Sequence, residues 1–281
     1  MKIIVYGGSG FIGQQLIAAL QARGDEVSTS SLRGDIRAAA MAADGHDVIV
    51  NLAGESVAQR WSPKVKERIA TSRTLAPRAL IGALLPLAQK PRRYVSASAI
   101  GYYGTSLDAT FTELSPAGDD FLGTVCSQWE AEAHQATQAG LAVSIVRTGL
   151  VLGRTGGALP KLLLPFKLGV GGIVGTGQQW YSWIHIDDIV GIYLLAIDGA
   201  DGIFNATAPQ PVRNCDFTTA LATAVHRPAY MAVPSFALHA ILGQGATVIL
   251  DGQRALPERT VQVGYHFAFE TIQSALEALL G

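Results

Sequence analysis

Short apolar runs alternate with amphipathic stretches along the first 150 residues of the chain. Continuous apolar and β-branched runs are typical of strands buried in a parallel sheet, whereas apolar positions three and four apart indicate a helix. The predicted strands are Lys2–Tyr6, Glu26–Ser30, Asp47–Leu52, Arg93–Ser98 and Leu141–Arg147. The predicted helices are Phe11–Arg23, Pro63–Gln89 and Asp119–Ala139. This alternation predicts an α/β fold, a doubly wound parallel sheet with helices on both faces.

The spacing of elements is tight in one place and changes after residue 150. Too few residues separate the first helix from the third strand for a full crossover, so we expect a shortened connection around Ser31–Ala43. The glycine-rich stretch Gly153–Gly177 predicts a loop-built lid or pocket wall. The later elements predicted are the helices Asp187–Ile197, Arg213–Val225, Pro234–Leu242 and Phe269–Leu279 and the strand Gly202–Ala206.

This change in the pattern of elements after residue 150 predicts that the chain has two structural parts. We expect a first domain at residues 1–150, with its sheet completed by later strands at about residues 182–206, and a smaller mixed α/β C-terminal lobe at residues 151–281.

Composition narrows the class of protein. Of the 281 residues 49% are hydrophobic and 15% are charged, which excludes a disordered chain and is compatible with a homodimer. The net charge of −1 offers no basic field for nucleic acid or an anionic membrane, and no apolar stretch is long enough for a membrane helix. Cys126 and Cys215 have no paired spacing, and the N-terminus lacks the pattern of a signal peptide. A cytoplasmic protein is therefore expected.

The strongest motif is a glycine loop at Gly7–Gly13 (GGSGFIG), which directly follows a predicted strand and opens a predicted helix. Glycines in that position allow a tight turn and the close approach of a pyrophosphate, whose charge is held by backbone amides and by the helix dipole. The loop therefore predicts dinucleotide binding. The expected cofactor contacts in it are Gly7, Ser9, Gly10, Phe11, Ile12 and Gly13.

Further motifs agree with the loop in order and spacing: NLAG at Asn51–Gly54, SASAIGYYG at Ser96–Gly104, WIHIDD at Trp183–Asp188 and GQRALPERTVQVGYHF at Gly252–Phe267. Together they resemble the extended short-chain dehydrogenase/reductases, the NAD-dependent epimerase/dehydratase superfamily. The resemblance covers essentially the whole chain and is greatest to the atypical "epimerase family protein" branch, whose members are sometimes labelled cell-division inhibitors.

The resemblance implies a Rossmann-type sheet that binds NAD(P), followed by a smaller substrate lobe. Leu52, Ala53 and Gly54 would lie at the end of a central strand under the ribose of the cofactor. The resemblance also places Glu67 and Arg73 near the cofactor, and Leu150 on its nicotinamide side.

The end of the second strand favours NADP over NAD. An acid there accepts the ribose 2′-hydroxyl, whereas an arginine accommodates a 2′-phosphate. Here the strand runs into Ser31, Leu32 and Arg33, so we expect Ser31 and Arg33 to bind the phosphate and Asp35 to reach the ribose or adenine. The alternative is that Arg33 is an ordinary solvated surface charge.

The usual catalytic pair of this superfamily is absent. Its members carry a Tyr-x-x-x-Lys helix motif and a serine that orients the substrate oxygen. Ser98 matches the serine, but the tyrosine and lysine positions fall on Leu122 and Cys126. Tyr102 and Tyr103 are candidate replacement acids, although simple aromatic packing explains them equally well.

Four other features have two interpretations each. Cys126 is a nucleophile or a buried small residue, and Glu130 is a buried anchor or a surface acid. His185 beside two aspartates suggests a metal or a proton relay, but an aspartate capping the next helix is the simpler interpretation, so no metal is predicted. Trp180, Tyr181 and Trp183, with Arg154, either line a substrate pocket or pack the two parts together.

These observations predict an NADP-binding oxidoreductase or epimerase that acts on an unknown small carbonyl or hydroxyl substrate. The alternative is a non-catalytic, NADP-dependent binding or regulatory protein, which the missing Tyr/Lys pair supports. A sugar-nucleotide epimerase with unusual acids is a third reading.

Overall fold

The computed structural model describes residues 1–281. Its strands are β1 (Lys2–Tyr6), β2 (Glu26–Ser30), β3 (Val48–Asn51), β4 (Arg93–Ala99), β5 (Thr110–Phe111), β6 (Ala142–Thr148), β7 (Leu150–Leu152), β8 (Gly172–Val174), β9 (Trp180–Tyr181), β10 (Trp183–His185), β11 (Gly202–Ala206), β12 (Val212–Arg213), β13 (Met231–Val233) and β14 (Arg254–Ala255). Its α-helices are α1 (Phe11–Ala22), α2 (Ile36–Met41), α3 (Pro63–Leu84), α4 (Phe121–His134), α5 (Leu159–Lys167), α6 (Ile186–Asp198), α7 (Asn214–Ala224), α8 (Ser235–Leu242), α9 (Thr247–Leu250), α10 (Glu258–Gln262) and α11 (Ile272–Leu280).

A six-stranded parallel sheet in the order β11-β6-β4-β3-β1-β2 forms the centre of the molecule. The chain moves outwards from β1 to β2 and then returns to the other side of β1 with β3. Because crevices at such a reversal lie beyond the carboxyl ends of the strands, this edge of the sheet is where a ligand is expected.

Successive residues of each central strand are buried on opposite faces of the sheet. Ile3 and Val5 pack with α1 and α6, whereas Ile4 and Tyr6 pack with α2, α3 and α4. Strands buried on both faces explain the continuous apolar runs of the sequence. The predicted doubly wound α/β sheet, and the strands and helices assigned to its first half, are confirmed.

The connection between β2 and β3 is shortened, as expected. α2 contains six residues, which is little more than one and a half turns. Asp35 caps it, because its carboxylate accepts hydrogen bonds from the amides of Arg37 and Ala38.

The C-terminal lobe packs around a separate apolar cluster formed by α5, α7 and α11 with β9 and β10. One expectation for this region is wrong, and another is right in part. The glycine-rich stretch 153–177 contains helix α5, because Leu159, Leu163 and Phe166 fall on one buried face. Among residues 182–206, β11 joins the central sheet, but β10 pairs with β7 outside it.

Candidate functional site

The glycine loop forms a compact turn that side chains cannot enter. Gly7 has a φ of +80°, and a Cβ there would lie 2.7 Å from the carbonyl carbon of Leu52. A Cβ on Gly13 would lie 2.6 Å from the Gly7 oxygen. The glycines therefore bring β1, the start of α1 and the end of β3 into direct backbone contact.

The first turn of α1 has free amide groups. Gly10 is its N-cap and has no side chain to cap the helix, and the hydrogen bonds of the helix begin at the Gln14 amide, which binds the Gly10 oxygen. The amides of Phe11 and Ile12 therefore have no partner within the helix. Ser9 and Gly10 are exposed beside them. This end of α1 has the form of an anion-binding site.

Phe11 connects the glycine loop to the chain that follows β7. A Cβ built on Gly153 or on Gly156 would lie 2.3 Å from the Phe11 ring. These two glycines therefore let residues 153–157 lie flat on the ring. Leu150, the predicted nicotinamide contact, begins β7 on the same side, and its amide donates to the Ser182 oxygen at 2.9 Å.

Arg73 lies where a cofactor-binding lysine is missing. Its guanidinium is 3.1 Å from the position of a Cβ on Gly54, and it stacks on the Trp129 ring at 5.0 Å. Arg73 is in no salt bridge. Burial raises the pKa of the Cys126 thiol to about 12, and the nearby positive charge of Arg73 acts in the opposite direction. Cys126 occupies the sequence position of the lysine, and Arg73 of α3 places a positive charge close to it.

Leu52 and Ala53 lie beneath Gly7, and Gly54 lies against Arg73, so the structure brings these predicted residues together. Glu67 is different. It is exposed on α3, six positions before Arg73, and its carboxylate makes neither a hydrogen bond nor a salt bridge. Six residues of helix correspond to about 240° of rotation, since a turn holds 3.6 residues. Glu67 as a cofactor contact therefore stays a prediction.

The turn after β2 presents Ser31 and Arg33 to solvent, while Leu32 packs against the core between them. The Arg33 amide donates to the Ser31 hydroxyl at 3.0 Å. Although Leu32 lies between them in the sequence, Ser31 and Arg33 are exposed on the same face of the turn. Asp35 caps α2 through Oδ1, and its side chain is exposed at this turn, so its contact with the ribose or adenine stays a prediction.

A buried ion pair lies beneath the expected catalytic position. Arg147 at the end of β6 forms two parallel hydrogen bonds with Glu130 of α4, at 2.8 and 2.7 Å. The Ser98 hydroxyl donates to Glu130 Oε1 at 2.6 Å and is 2% exposed. Glu130 is therefore a buried anchor, and Ser98 has its proton engaged by that anchor.

The two candidate tyrosines have different surroundings. Tyr103 is buried, its hydroxyl donates to Asn205 Oδ1 at 2.6 Å, and it accepts from Arg147 Nη1 at 2.9 Å. Burial raises the pKa of Tyr103 to about 12. Tyr102 is half-buried, lies over the Arg147 guanidinium at 3.5 Å, and has no hydrogen bond to its hydroxyl. The Tyr103 hydroxyl is thus engaged by two protein groups, whereas the Tyr102 hydroxyl has no protein partner.

The WIHIDD segment is a structural anchor. His185 itself caps α6, since its Nδ1 accepts from the Asp187 amide at 3.1 Å, so the predicted aspartate cap is wrong. Asp188 accepts hydrogen bonds from the amides of Ala268 and Phe269, which ties the C-terminal segment to α6. No cluster of metal-ligating side chains occurs in the structure.

The hydrogen-bonding partners of Glu130 and Tyr103 were not predicted from the sequence. Arg147, Asn205 and Glu113 link the ends of β6 and β11 to the chain after β5. The backbone N–H of Asn205 donates to Glu113 Oε1 at 3.0 Å. The one available signal was an arginine that ends the apolar run AVSIVRT, because a charge in a buried strand needs a buried partner.

Comparison with known proteins agrees with this geometry. Residues 3–206 match the model of the NAD dependent epimerase/dehydratase family, and residues 233–279 match a domain of unknown function. The chain is 38% identical to human epimerase family protein SDR39U1 over 100% of both chains. It is 37% identical to a chloroplastic Arabidopsis thaliana homologue of that protein, over 100% of this chain and 87% of the relative.

A solved structure is also similar over the full length. The crystal structure of human SDR39U1 (isoform 2) with NADPH superimposes with a TM-score of 0.91 at 34% identity, covering 100% of this chain and 99% of that one. In the present chain, no helix combines the length and apolarity that crossing a bilayer requires. The matched family model, the full-length relatives and the glycine-loop geometry agree that this chain belongs to the NAD-dependent epimerase/dehydratase family, in its SDR39U1-like branch.

Proposed function

We propose that the protein is an NADP(H)-dependent oxidoreductase or epimerase that acts on a small carbonyl or hydroxyl substrate. The observation that carries this proposal is the cradle at the end of β1. There Gly7, Gly10 and Gly13 exclude side chains, and the free amides of α1 face the same space. A pyrophosphate fits such a cradle because both its charge and its size require close approach of the backbone.

The exposed pair after β2 supports NADP rather than NAD. Ser31 and Arg33 are exposed together on the turn after β2, and the Arg33 guanidinium is in no salt bridge. One carboxylate oxygen of Asp35 is used as the cap of α2. A guanidinium with a neighbouring hydroxyl suits a phosphate. The human relative solved with NADPH is consistent with this choice.

Arg73 supports the ribose and nicotinamide side of the site. Its guanidinium lies against Gly54, has no acidic partner, and stands in for the lysine that the helix motif lacks. We propose that it binds cofactor hydroxyls there, beside Leu52 and Ala53. Leu150 would line the opposite side.

Hydride transfer at a carbonyl or hydroxyl carbon also requires a group that donates or accepts a proton at the oxygen. When bound, the nicotinamide supplies or accepts a hydride. Tyr102 is the residue we propose for proton transfer, because its hydroxyl is free and Arg147 lies 3.5 Å from its ring. The Ser98 hydroxyl donates to Glu130, so its oxygen is left to accept a hydrogen bond from a hydroxyl substrate.

A second function is favoured by one specific observation. The hydroxyls of Ser98 and Tyr103, two of the three predicted catalytic groups, are buried in hydrogen bonds to Glu130 and Asn205. That arrangement is also what a non-catalytic, NADP-dependent regulatory protein would have.

We further propose that residues 1–150 with β11 form the cofactor-binding domain and that the remaining chain forms the substrate lobe. A cytoplasmic location fits the two free cysteines. A homodimer stays a prediction.

The test is a titration of the purified protein with NADPH and NADH, followed by nicotinamide fluorescence. Gly10→Val should abolish binding of both, while Gly82→Ala, a helix position with open space around it, should leave both unchanged. Arg33→Ala should weaken NADPH by roughly tenfold or more, the value of a lost charge-assisted hydrogen bond, and leave NADH within about twofold.

Equal loss of NADPH and NADH in Arg33→Ala would remove the assignment of the 2′-phosphate. Absence of binding by the wild-type protein would remove the proposal. If NADPH binds but Tyr102→Phe and wild type convert carbonyl substrates at the same rate, the proton donor is not Tyr102.

A further inference from the structure

A cavity of about 550 Å³ lies in the C-terminal lobe where three helices end. The last residues of α5, α7 and α11 are all in its wall. Its volume is within the range of about 300–1,000 Å³ that small-molecule sites occupy. Leu163 and Leu279 are buried and give the cavity an apolar floor. None of its residues belongs to the cofactor cradle or to the groups proposed for catalysis, so this cavity is a separate feature of the molecule.

Four basic side chains and no acidic side chain line the cavity: Arg154, Lys167, His226 and Arg227. All four are exposed. Those of Lys167, His226 and Arg227 form no hydrogen bond and no salt bridge, and Arg154 donates once, at 3.5 Å, to the backbone oxygen of Gly281. The helix ends allow these cations to lie together, because each helix C-terminus carries about half a negative charge. The N–H groups of the cations nevertheless remain free for an anion.

His226 has a backbone conformation that favours glycine. Its φ is 51°, and it is the one residue other than glycine with a positive φ. The His226 amide donates to the Thr223 oxygen at 3.1 Å. The amide of the next residue donates to the Ala222 oxygen at 3.0 Å. These two bonds form the Schellman motif that ends α7, and its left-handed position is usually a glycine, which has no Cβ. Strain of this kind persists where a side chain serves a function, and the His226 side chain lines the cavity.

We propose that this cavity binds a small molecule with an apolar body and an anionic end, which is a phosphate or a carboxylate. The apolar body lies on the buried leucines, where it is removed from water. The anionic end accepts charge-assisted hydrogen bonds from the guanidinium and ammonium groups above them. The proposal goes beyond the reaction proposed for the cofactor cleft and does not depend on it.

The experiment is calorimetric titration of the full chain, in the presence of excess NADP⁺, with octyl phosphate and separately with octanoate, both below the concentrations at which they form micelles. NADP⁺ fills the cradle proposed for the pyrophosphate, so the anion cannot bind there. The wild-type protein should bind at least one of the two probes saturably, with one molecule per chain. Neutral 1-octanol and inorganic phosphate should each bind at least roughly tenfold more weakly, because the first lacks the charge and the second lacks the apolar chain.

Two variants test the cations. Lys167→Gln and Arg227→Gln should each weaken the binding by roughly tenfold, since each loses a charge-assisted contact. Lys161→Gln is the matched control and should not change it, because Lys161 is exposed on α5 two residues from Leu163 and therefore on the opposite face of that helix. All three side chains are exposed, so the melting temperatures should equal that of wild type.

His226→Gly gives a readout that a purely structural role would not produce. Glycine adopts the left-handed conformation without strain, so the melting temperature should rise. Loss of the imidazole should at the same time weaken binding of the anionic probe by roughly threefold or more.

Three results would overturn the proposal. The first is saturable binding of neither anionic probe. The second is unchanged affinity in Lys167→Gln and Arg227→Gln. The third is binding of 1-octanol or of inorganic phosphate as tight as that of the anionic probes, because the charge or the apolar floor would then have no role. Tighter binding of octyl phosphate indicates a phosphorylated ligand, and tighter binding of octanoate indicates a carboxylic acid.

NADPH affinity, measured in the same variants, separates this proposal from the proposed function. It should stay within about twofold of wild type, since neither Lys167 nor Arg227 lies in the cofactor cradle. If the wild-type protein binds no NADPH, the proposed function fails, and the same titrations without cofactor still test the cavity.

Discussion

The ion pair between Glu130 and Arg147 predicts a strongly non-additive effect on stability. Arg147 is 1% exposed and Glu130 is 5% exposed. Glu130→Leu leaves a buried guanidinium without its counter-charge, which costs about 3–5 kcal/mol of unfolding free energy. For a chain of this size the melting temperature should fall by roughly 6–20 °C.

The double variant Glu130→Leu with Arg147→Met should recover most of that loss, because replacing a buried ion pair with apolar groups of similar volume is often close to neutral. Ser98 and Tyr103 also bond to this pair, so we expect recovery to be incomplete. The exposed pair Lys2–Glu26, with 57% and 72% of its side chains exposed, supplies the control. Glu26→Gln should cost at most about 1 kcal/mol.

Urea unfolding of wild type, both single variants, the double variant and Glu26→Gln gives the full cycle. Two results would refute the reasoning. One is a single variant that loses no more stability than Glu26→Gln. The other is a double variant whose loss equals the sum of the two single losses, because the charges would then not interact in the folded state.

Three further predictions follow from the same region and its neighbours. Tyr103→Phe should cost about 1–3 kcal/mol, because it removes the donor to Asn205 Oδ1 and one of the acceptors of Arg147 in a buried site. The matched change Tyr102→Phe should stay within about 0.5 kcal/mol, and equal losses in urea unfolding would contradict the different surroundings of the two hydroxyls. Burial lowers the pKa of His185 in the folded protein. As the pH drops below about 6.5, the usual pKa of histidine, the unfolded chain therefore takes up a proton on this side chain before the folded protein does. The free energy of unfolding should fall over that range. His185→Asn keeps a capping acceptor and should flatten that fall in unfolding free energy between about pH 5.5 and 7; an unchanged slope would show that other groups cause it. Burial raises the pKa of Cys126 to about 12, so a thiol reagent should label Cys215 alone in the folded protein and both cysteines in urea; rapid labelling of two thiols in the native state would show that α4 opens.

The sequence predicted the inner strands of the central sheet well because they are buried on both faces. A run such as Lys2–Tyr6 needs no knowledge of its neighbours to be identified as a buried strand. The glycine loop was predictable for a similar reason, since its strand, turn and helix are contiguous in the chain.

Helix α5 was missed because local signals oppose it. Pro165 lies inside it and glycines flank it on both sides, so its apolar face is stabilised by α7 and α11 rather than by its own propensity. Contacts between side chains of different elements could not be predicted from the sequence either. Nothing in the pattern around Glu130 shows that its partner lies 17 residues further on. The position of Arg73 also depends on how α3 packs against α4.

The place of β11 in the sheet has a consequence for the synthesis of the protein. β11 supplies the edge next to β6, and α6 covers one face of β1, β3 and β4, yet both follow residue 150 in the chain. A ribosome that has just completed β6 has therefore made the strands of a sheet whose edge is open and whose one face is covered by α1 alone. At about 5–20 residues per second, the missing strand is complete about 3–12 s later. During that interval the nascent chain offers the kind of surface that chaperones bind, and slower translation across residues 150–206 would prolong its exposure.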